Sequence, residues 1–165
     1  MHSTIDQVRA CLSDANAPSS DYDLNPEITL PEGRTLRPAA VLVPLIQKAD
    51  VWHVILTMRS SALKHHPGQI AFPGGKKDES EFSLVETALR EADEEIGLAK
   101  DRVDVLGQLP CHETVTGFTV TPVIGLVSPS FEPRPDPGEV AEVFTVPFDF
   151  LVQPQNFQIN SRRWR

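Results

Sequence analysis

The sequence predicts an α/β fold of the α+β kind, in which helices pack against a mixed β-sheet. Apolar runs rich in β-branched residues, typical of buried strands, lie both before and after one amphipathic helix. The first two runs are separated by only three residues, which indicates a hairpin. The chain has 165 residues and is 40% apolar, which is enough for one domain with a hydrophobic core. Together these features favour a mixed sheet covered by helices.

The N-terminal part of the chain, residues 1–35, is predicted to be a helix and a loop that pack on the main domain, residues 36–165. Three aliphatic side chains recur at helical spacing within Thr4–Asp14, so this stretch is predicted to be helical. The following segment, Asn16–Arg34, is polar and contains proline, and we expect a loop that could cover an edge of the sheet.

The main domain alternates strand-like runs with loops around the central helix. A turn at Lys48–Asp50 joins the first two strands, and the central helix is expected over Ser83–Ile96. A short helical turn is expected near the end of the chain, before a polar and then basic tail at residues 153–165. The predicted strands are Leu36–Gln47, Val51–Met58, Ile70–Phe72, Val103–Leu109, Phe118–Val127 and Glu139–Val146. The predicted loops are Arg59–Gln69, Cys111–Gly117 and Ser128–Gly138, and the helical turn is Pro147–Val152.

Charge and composition narrow the classes of function. A formal net charge of −8 argues against a basic nucleic-acid-binding surface, but a polyphosphate substrate is compatible if cations lie between it and the acids. No run of about 18 apolar residues predicts a transmembrane helix, and the N-terminus lacks the apolar region of a secretory signal. Cys11 and Cys111 form no metal or redox motif. We therefore expect a cytoplasmic protein with reduced thiols that does not bind membranes.

The central helix carries acidic residues where a purely structural helix would disfavour them. Glu91, Asp93, Glu94 and Glu95 lie in its last turns, just before Gly97, a residue type that often ends helices. Each carboxylate there opposes the helix dipole by about 0.3–1 kcal/mol. The alternative is a solvated acidic face, but the position beside two glycines favours a cation-binding site.

The spacing of the acids predicts how they could share a cation. The apolar stripe of the helix consists of Val85, Ala88, Leu89, Ala92 and Ile96. Glu91 and Glu95 lie one turn apart at the border of this stripe, and Glu94 lies further round the helix. Gly74 and Gly75 allow the backbone to approach a metal or a phosphate closely, and Arg90 could orient a carboxylate. Oxygen ligands of this kind suit Mg²⁺ or Mn²⁺.

Other polar residues give weaker indications. His65 and His66 could contact phosphate or be ordinary loop residues, and His112 is interpreted as a loop residue. Glu139 lies at the start of the last predicted strand, where it could be a surface charge, a general base or an additional ligand.

The stretch from Gly74 to Leu98 resembles the Nudix box, whose second half is R-E-U-x-E-E-x-G-U, where U is a bulky aliphatic residue. Residues Arg90–Leu98 match this half in register, except that Ala92 is small for its position. In the first half, the usual acidic position falls on Phe82, and Glu81 comes one residue early. This one-residue offset is similar to that of the coenzyme A pyrophosphatase branch, and it leaves the role of Glu81 open.

The preceding segment strengthens the resemblance to that branch, whose accessory motif reads approximately L-L-T-x-R-S/A-x₃-R-x₃-G-x₃-F-P-G-G. This chain has Ile55–Ser60, then Lys64 in place of an arginine, Gly68 and Phe72–Gly75, all at the expected spacing. The two motifs together cover about 45 consecutive residues. Relatives of this branch continue with a further strand and helix, so a Nudix-type α/β/α sandwich is expected here with these two elements possibly absent.

The resemblance implies metal-dependent hydrolysis of the pyrophosphate bond of coenzyme A or a derivative by a monomer or homodimer. The products would be 4′-phosphopantetheine, or its acyl form, and adenosine 3′,5′-bisphosphate. Two alternatives stay open: another nucleotide substrate such as a dinucleotide or ADP-ribose, and a coenzyme A-binding module without hydrolysis. The implied metal ligands are Glu91, Glu94, Glu95 and the Gly75 carbonyl, with Mg²⁺ or Mn²⁺ as the cofactor. The implied catalytic residues are Arg90, Glu91, Glu95 and Glu139. The implied substrate-binding residues are Arg59, Lys64, Gly68, Phe72 and Gly74, with the 3′-phosphate as a target of Arg59 and Lys64.

Overall fold

A computed structural model describes residues 4–160 as three helices, two 3₁₀ turns and nine strands. The last residues of the predicted basic tail, 161–165, lie outside the described residues. The helices are α1 (Thr4–Asp14), α2 (Leu84–Ile96) and α3 (Phe148–Leu151), and the 3₁₀ turns are Lys100–Arg102 and Pro154–Asn156. The strands are β1 (Ser19–Ser20), β2 (Arg37–Lys48), β3 (Val51–Arg59), β4 (Ile70–Ala71), β5 (Gly74–Lys76), β6 (Val103–Gln108), β7 (His112–Glu113), β8 (Phe118–Val127) and β9 (Val140–Pro147).

All nine strands belong to one mixed sheet. At its centre, β2 pairs in parallel with β8 over ten residues, and β3 pairs antiparallel with both β2 and β9. The N-terminal half of β2 pairs instead with the short strand β5, while β6 and β7 extend the far side of β8. The predicted mixed sheet is therefore confirmed.

Helices cover both faces of this sheet, which gives three layers. Helix α2 packs on one face through an apolar core that includes Leu42, Ala92 and Val123. Helices α1 and α3 pack on the other face, over Leu45 and Ile124. The predicted α/β/α arrangement is thus confirmed. Within residues 4–160, the helices are too short or too polar to cross a membrane.

The hairpin between β2 and β3 turns through two residues rather than the predicted three. Lys48 still pairs with Val51 and so belongs to β2, which corrects the predicted turn. The turn residues Ala49 and Asp50 have φ angles of 46° and 63°. Two consecutive positive φ angles are typical of the type I′ turn, whose twist matches that of the flanking strands.

Helix α2 has sequence-encoded ends. The Ser83 side chain accepts a hydrogen bond from the Glu86 N–H at 3.1 Å and so caps the first turn. At the other end Gly97 adopts a left-handed conformation, and its N–H donates to the Asp93 carbonyl at 2.9 Å. This is the hydrogen bond of an αL cap, and the Leu98 N–H donates in addition to the Ala92 carbonyl at 3.2 Å. The acids of α2 therefore lie in well-ordered final turns.

Two short strands, β1 and β7, lie in segments predicted as loops, and a third, β5, lies where no element was predicted. Strand β5 consists largely of the two glycines, and β1 pairs in parallel with β7 across more than 90 residues of sequence. Strands of two or three residues carry no readable alternation, and their pairing depends on distant parts of the chain. The longer predicted strands and both longer helices agree with the structure to within one residue at each end.

Candidate active site

The acidic end of α2 lies directly against the glycine strand β5. Strand β5 is held in place by pairing with β2, where Gly75 lies opposite Ala40. The Gly74 N–H donates a hydrogen bond to Oε2 of Glu95 at 3.3 Å, and Glu95 is only 4% exposed. A Cβ atom on Gly75 would lie closer than 3.0 Å to the carboxylate of Glu91. The bare backbone of this strand therefore allows two carboxylates to sit against it.

Arg90 connects the loop before α2 and the end of β5 to the acids of α2. Its Nε donates to Oε1 of Glu81 at 2.7 Å, and its Nη2 donates to the Lys76 carbonyl at 3.1 Å. Its Nη1 lies 3.0 Å from Oε1 of Glu91 and 2.9 Å from Oε2 of Glu94. One guanidinium thus fixes three carboxylates and the end of β5 relative to one another.

Glu81 has a supporting role that sequence reasoning left open. Its Oε2 accepts hydrogen bonds from the Thr87 hydroxyl at 2.7 Å and the Asp78 N–H at 2.8 Å, while Oε1 accepts from Arg90. Phe82, at the usual acidic position, is 95% exposed. The loop before α2 therefore lets the earlier residue occupy the inward position. A hydrogen-bonding Thr87 on the same side of the helix was a signal in the sequence that was not used.

The ionisation of the acids reflects these different surroundings. Burial raises the pKa of Glu95 to about 7, and the nearby charge of Glu91 adds to the rise, while the Gly74 N–H opposes it. Burial also raises the pKa of Glu91, against the effect of Arg90. Burial would raise the pKa of Glu81 as well, but hydrogen bonds, led by that from Arg90, lower it to about 2. The buried Glu95 and the partly buried Glu91 thus form a pair of acids whose negative charges lack full compensation.

Arg59 and Glu139 come to the same site from other strands. A bulge in β3 precedes Arg59, and the N–H of Ser60 donates to the Glu139 carbonyl at 2.8 Å. The charge of Glu139 raises the pKa of both Glu91 and Glu95, whereas the charge of Arg59 lowers that of Glu95. The structure therefore brings these two predicted residues within electrostatic range of the α2 acids.

Arg59 also has a free hydrogen-bond donor. Its Nε atom is buried and has no hydrogen-bond partner among the described residues. A buried N–H without a partner carries a desolvation cost of about 1–3 kcal/mol. An anionic ligand beside Arg59 would remove that cost, so this donor indicates where a phosphate fits.

The other predicted substrate-binding residues lie further from the acids. Lys64 and Gly68 are exposed in the loop between β3 and β4, where the Gly68 N–H donates to the Arg59 carbonyl at 3.1 Å. Phe72 lines an apolar cavity of about 630 Å³ under α1 and α3. Gly74 is part of the site itself. The structure thus brings Arg59 and Gly74 to the acids, whereas Lys64 and Gly68 lie in the β3–β4 loop and Phe72 lies on the opposite face of the sheet.

The donor set fits a hard divalent cation. Glu91 and Glu95 present carboxylate oxygens beside β5, and a cation there would offset the burial and the repulsion from neighbouring carboxylates that raise their pKa values. Glu94 is 56% exposed and points to Arg90. Within residues 4–160, no three acidic, histidine or cysteine side chains already surround one point. Glu91, Glu95 and Glu94, with the carbonyl of Gly75, are the residues that would hold Mg²⁺ or Mn²⁺.

The fold and the arrangement of this site define a class of protein. A mixed sheet between helices, with an arginine–glutamate helix packed on a glycine strand, is the arrangement to which the Nudix-box resemblance pointed. The profile of the NUDIX domain matches residues 35–165. The chain belongs to the Nudix family.

Individual relatives support this assignment. An uncharacterized Nudix hydrolase NudL from Citrobacter koseri is 45% identical over 126 residues, which cover 75% of this chain and 64% of the relative. The NudL protein of Pectobacterium atrosepticum is 49% identical over 113 residues, or 68% of this chain and 58% of the relative. The chain thus spans about 58–64% of the length of these relatives. A crystal structure of a Nudix hydrolase from M. smegmatis, RenU, has a TM-score of 0.60 at 25% identity, covering 71% of this chain and 74% of that one.

Proposed function

We propose that the protein hydrolyses the pyrophosphate bond of coenzyme A or one of its derivatives with the help of Mg²⁺ or Mn²⁺. The observation that carries this proposal is the buried pair Glu91 and Glu95 against the glycine strand, with the unpartnered Nε of Arg59 beside it. Membership of the Nudix family supports a nucleotide pyrophosphate as the substrate class. The segment Ile55–Gly75, which resembles the accessory motif of the coenzyme A branch, supports the choice of coenzyme A.

Each residue of the site has a separate role in such a reaction. Glu91, Glu94, Glu95 and the Gly75 carbonyl hold the cation. The cation supplies neutralisation of phosphate charge and a lower pKa for a bound water. Arg90 keeps the carboxylates of Glu91 and Glu94 in position through its hydrogen bonds.

Arg59 donates to a phosphate oxygen from its free Nε and so places the pyrophosphate against the glycine strand. Water attacks one phosphorus of the pyrophosphate. The bond between this phosphorus and the bridging oxygen breaks, and the leaving phosphate takes the electron pair. Glu139 accepts the proton of the attacking water, because it is exposed and is not needed as a ligand in this scheme. The products are 4′-phosphopantetheine, or its acyl form, and adenosine 3′,5′-bisphosphate.

Mass spectrometry of the products tests this proposal. Coenzyme A and acetyl-coenzyme A are incubated with the protein and Mg²⁺ or Mn²⁺, beside ADP-ribose and a diadenosine polyphosphate. We expect the two coenzyme A products from the wild type and a loss of at least about 100-fold in rate from Glu95→Gln. A folded wild type that leaves coenzyme A intact would refute the proposal, and faster cleavage of ADP-ribose or the dinucleotide would redirect it.

The expected cytoplasmic location and monomeric or dimeric state stay predictions.

A further inference from the structure

A second cavity, of about 520 Å³, lies beside the loop that joins β3 to β4. It is lined by Arg37, His65, His66, Thr116 and Phe118. Three of these five side chains are arginine or histidine, and none is acidic. In a chain with a formal net charge of −8, such a lining is exceptional and favours an anionic ligand.

Arg37 is held in a fixed position at this cavity. It pairs with Phe118 across β2 and β8, and its guanidinium lies 4.0 Å from the centre of the phenyl ring. Its Nη2 donates to the Thr116 carbonyl at 3.4 Å. Within residues 4–160, no carboxylate lies within ion-pair distance of Arg37. The remaining N–H donors of a planar, oriented guanidinium suit a phosphate group.

The cavity lies close to the acidic site along β2. Arg37 precedes Ala40 by three residues, and Ala40 pairs with Gly75, so about 10 Å of strand separates them. The N–H of Lys77, just after β5, donates to the Pro38 carbonyl at 3.0 Å. The loop that carries His65 and His66 begins just after Arg59, whose buried Nε has no hydrogen-bond partner among the described residues. A ribose and the long Arg37 side chain can bridge this span.

We propose that this cavity binds a phosphate monoester on the nucleotide half of the substrate, which for coenzyme A is the 3′-phosphate. The proposal rests on the function proposed above and assigns its specificity. Arg37, His65 and His66 donate hydrogen bonds to the phosphate oxygens, and stacking on Phe118 holds the guanidinium of Arg37 in position. Neither Lys64 nor Arg59 lines this cavity. We therefore assign the contact with the 3′-phosphate to Arg37 and the two histidines, in place of Lys64 and Arg59.

Paired substrates test the assignment, because dephospho-coenzyme A differs from coenzyme A only by this phosphate. For the wild type we expect kcat/KM to be at least about tenfold higher on coenzyme A. Arg37→Gln should remove most of that preference and change turnover of dephospho-coenzyme A by less than about twofold. Arg9→Gln, which removes an exposed positive charge from α1, is the matched control and should keep the preference. An equal loss on both substrates in Arg37→Gln, or no preference in the wild type, would overturn the assignment.

A binding measurement separates failure of this subsite from failure of the proposed reaction. Calorimetry without metal compares adenosine 3′,5′-bisphosphate with adenosine 5′-monophosphate, and circular dichroism checks that Arg37→Gln is folded. We expect the wild type to bind the bisphosphate at least about tenfold more tightly than the monophosphate. Arg37→Gln should bind the two nucleotides with equal affinity. If coenzyme A is not cleaved but this pattern holds, the reaction is wrong and the phosphate subsite stands. Equal binding of both nucleotides to the wild type refutes the subsite.

Discussion

Glu95 should destabilise the metal-free protein at alkaline pH, because its carboxylate is buried beside another acid. The substitution Glu95→Gln removes the negative charge and keeps a side-chain oxygen that can accept the hydrogen bond from the Gly74 N–H. The rise in its pKa from 4.5 to about 7 corresponds to about 3 kcal/mol at about 1.4 kcal/mol per pKa unit. We therefore expect Glu95→Gln to be more stable than the wild type, although it should be inactive.

The sign of the effect sets its pH dependence. A carboxyl group whose pKa is raised on folding contributes its full stability below the unfolded value of 4.5. That contribution is lost as the pH rises towards 7, where the buried carboxylate is forced to ionise. The advantage of Glu95→Gln should thus be close to zero at pH 4 and about 3 kcal/mol at pH 8.

Urea unfolding in the presence of a chelator measures this difference at both pH values. Glu94→Gln is the matched control: its side chain is 56% exposed, and its ion pair with Arg90 is worth about 0.3–0.5 kcal/mol. Saturating Mg²⁺ should raise the stability of the wild type at pH 8 and leave Glu95→Gln nearly unchanged. If Glu95→Gln gains nothing at pH 8, or gains equally at pH 4, ionisation of a buried Glu95 is not the cause.

Three further predictions concern the supports of the site. Glu81→Gln should cost about 1–3 kcal/mol of unfolding free energy at neutral pH, because it weakens the charge-assisted bond from Arg90. Thermal melts at pH 7 and pH 3 should show this loss shrink, because below pH 4.5 the unfolded chain binds a proton at Glu81 while the folded protein, with a pKa of about 2, does not. Gly74→Ala should lower the melting temperature by several degrees, since the new Cβ would overlap the Ala40 carbonyl within β2, and an unchanged melt would contradict this packing. Ala49→Gly should raise the urea midpoint modestly, because relief of the about 1–2 kcal/mol cost of a left-handed alanine exceeds the about 0.4–1 kcal/mol that glycine loses in chain entropy.

Much of the site could be predicted because it is local in sequence. The positions of the acids of α2 and its apolar stripe follow from the 3.6-residue period, and Gly97 ends the helix as its residue type predicts. The glycines that precede the helix were recognised as a close-approach element, although their pairing with β2 was not predicted. The long strands were equally readable, since each is a continuous apolar run.

Other features depended on the conformation of a loop or on contacts between distant residues. The one-residue offset of Glu81 only acquires a meaning when Thr87, Arg90 and the Asp78 N–H are seen to converge on it. The approach of Glu139 to Arg59 spans about 80 residues and arises from β3–β9 pairing. The stacking of Arg37 on Phe118 follows in the same way from β2–β8 pairing.

By itself the sequence determined the class of the fold, the family resemblance and the candidate residues for the chemistry, because periodicity and motif spacing are properties of neighbouring positions. The tertiary structure alone decided their charge states and partners. Burial raises the pKa of Glu95 to about 7, while hydrogen bonds from three parts of the chain lower that of Glu81 to about 2. Two glutamates of the same type thus differ because desolvation and hydrogen bonding depend on the whole packed surroundings.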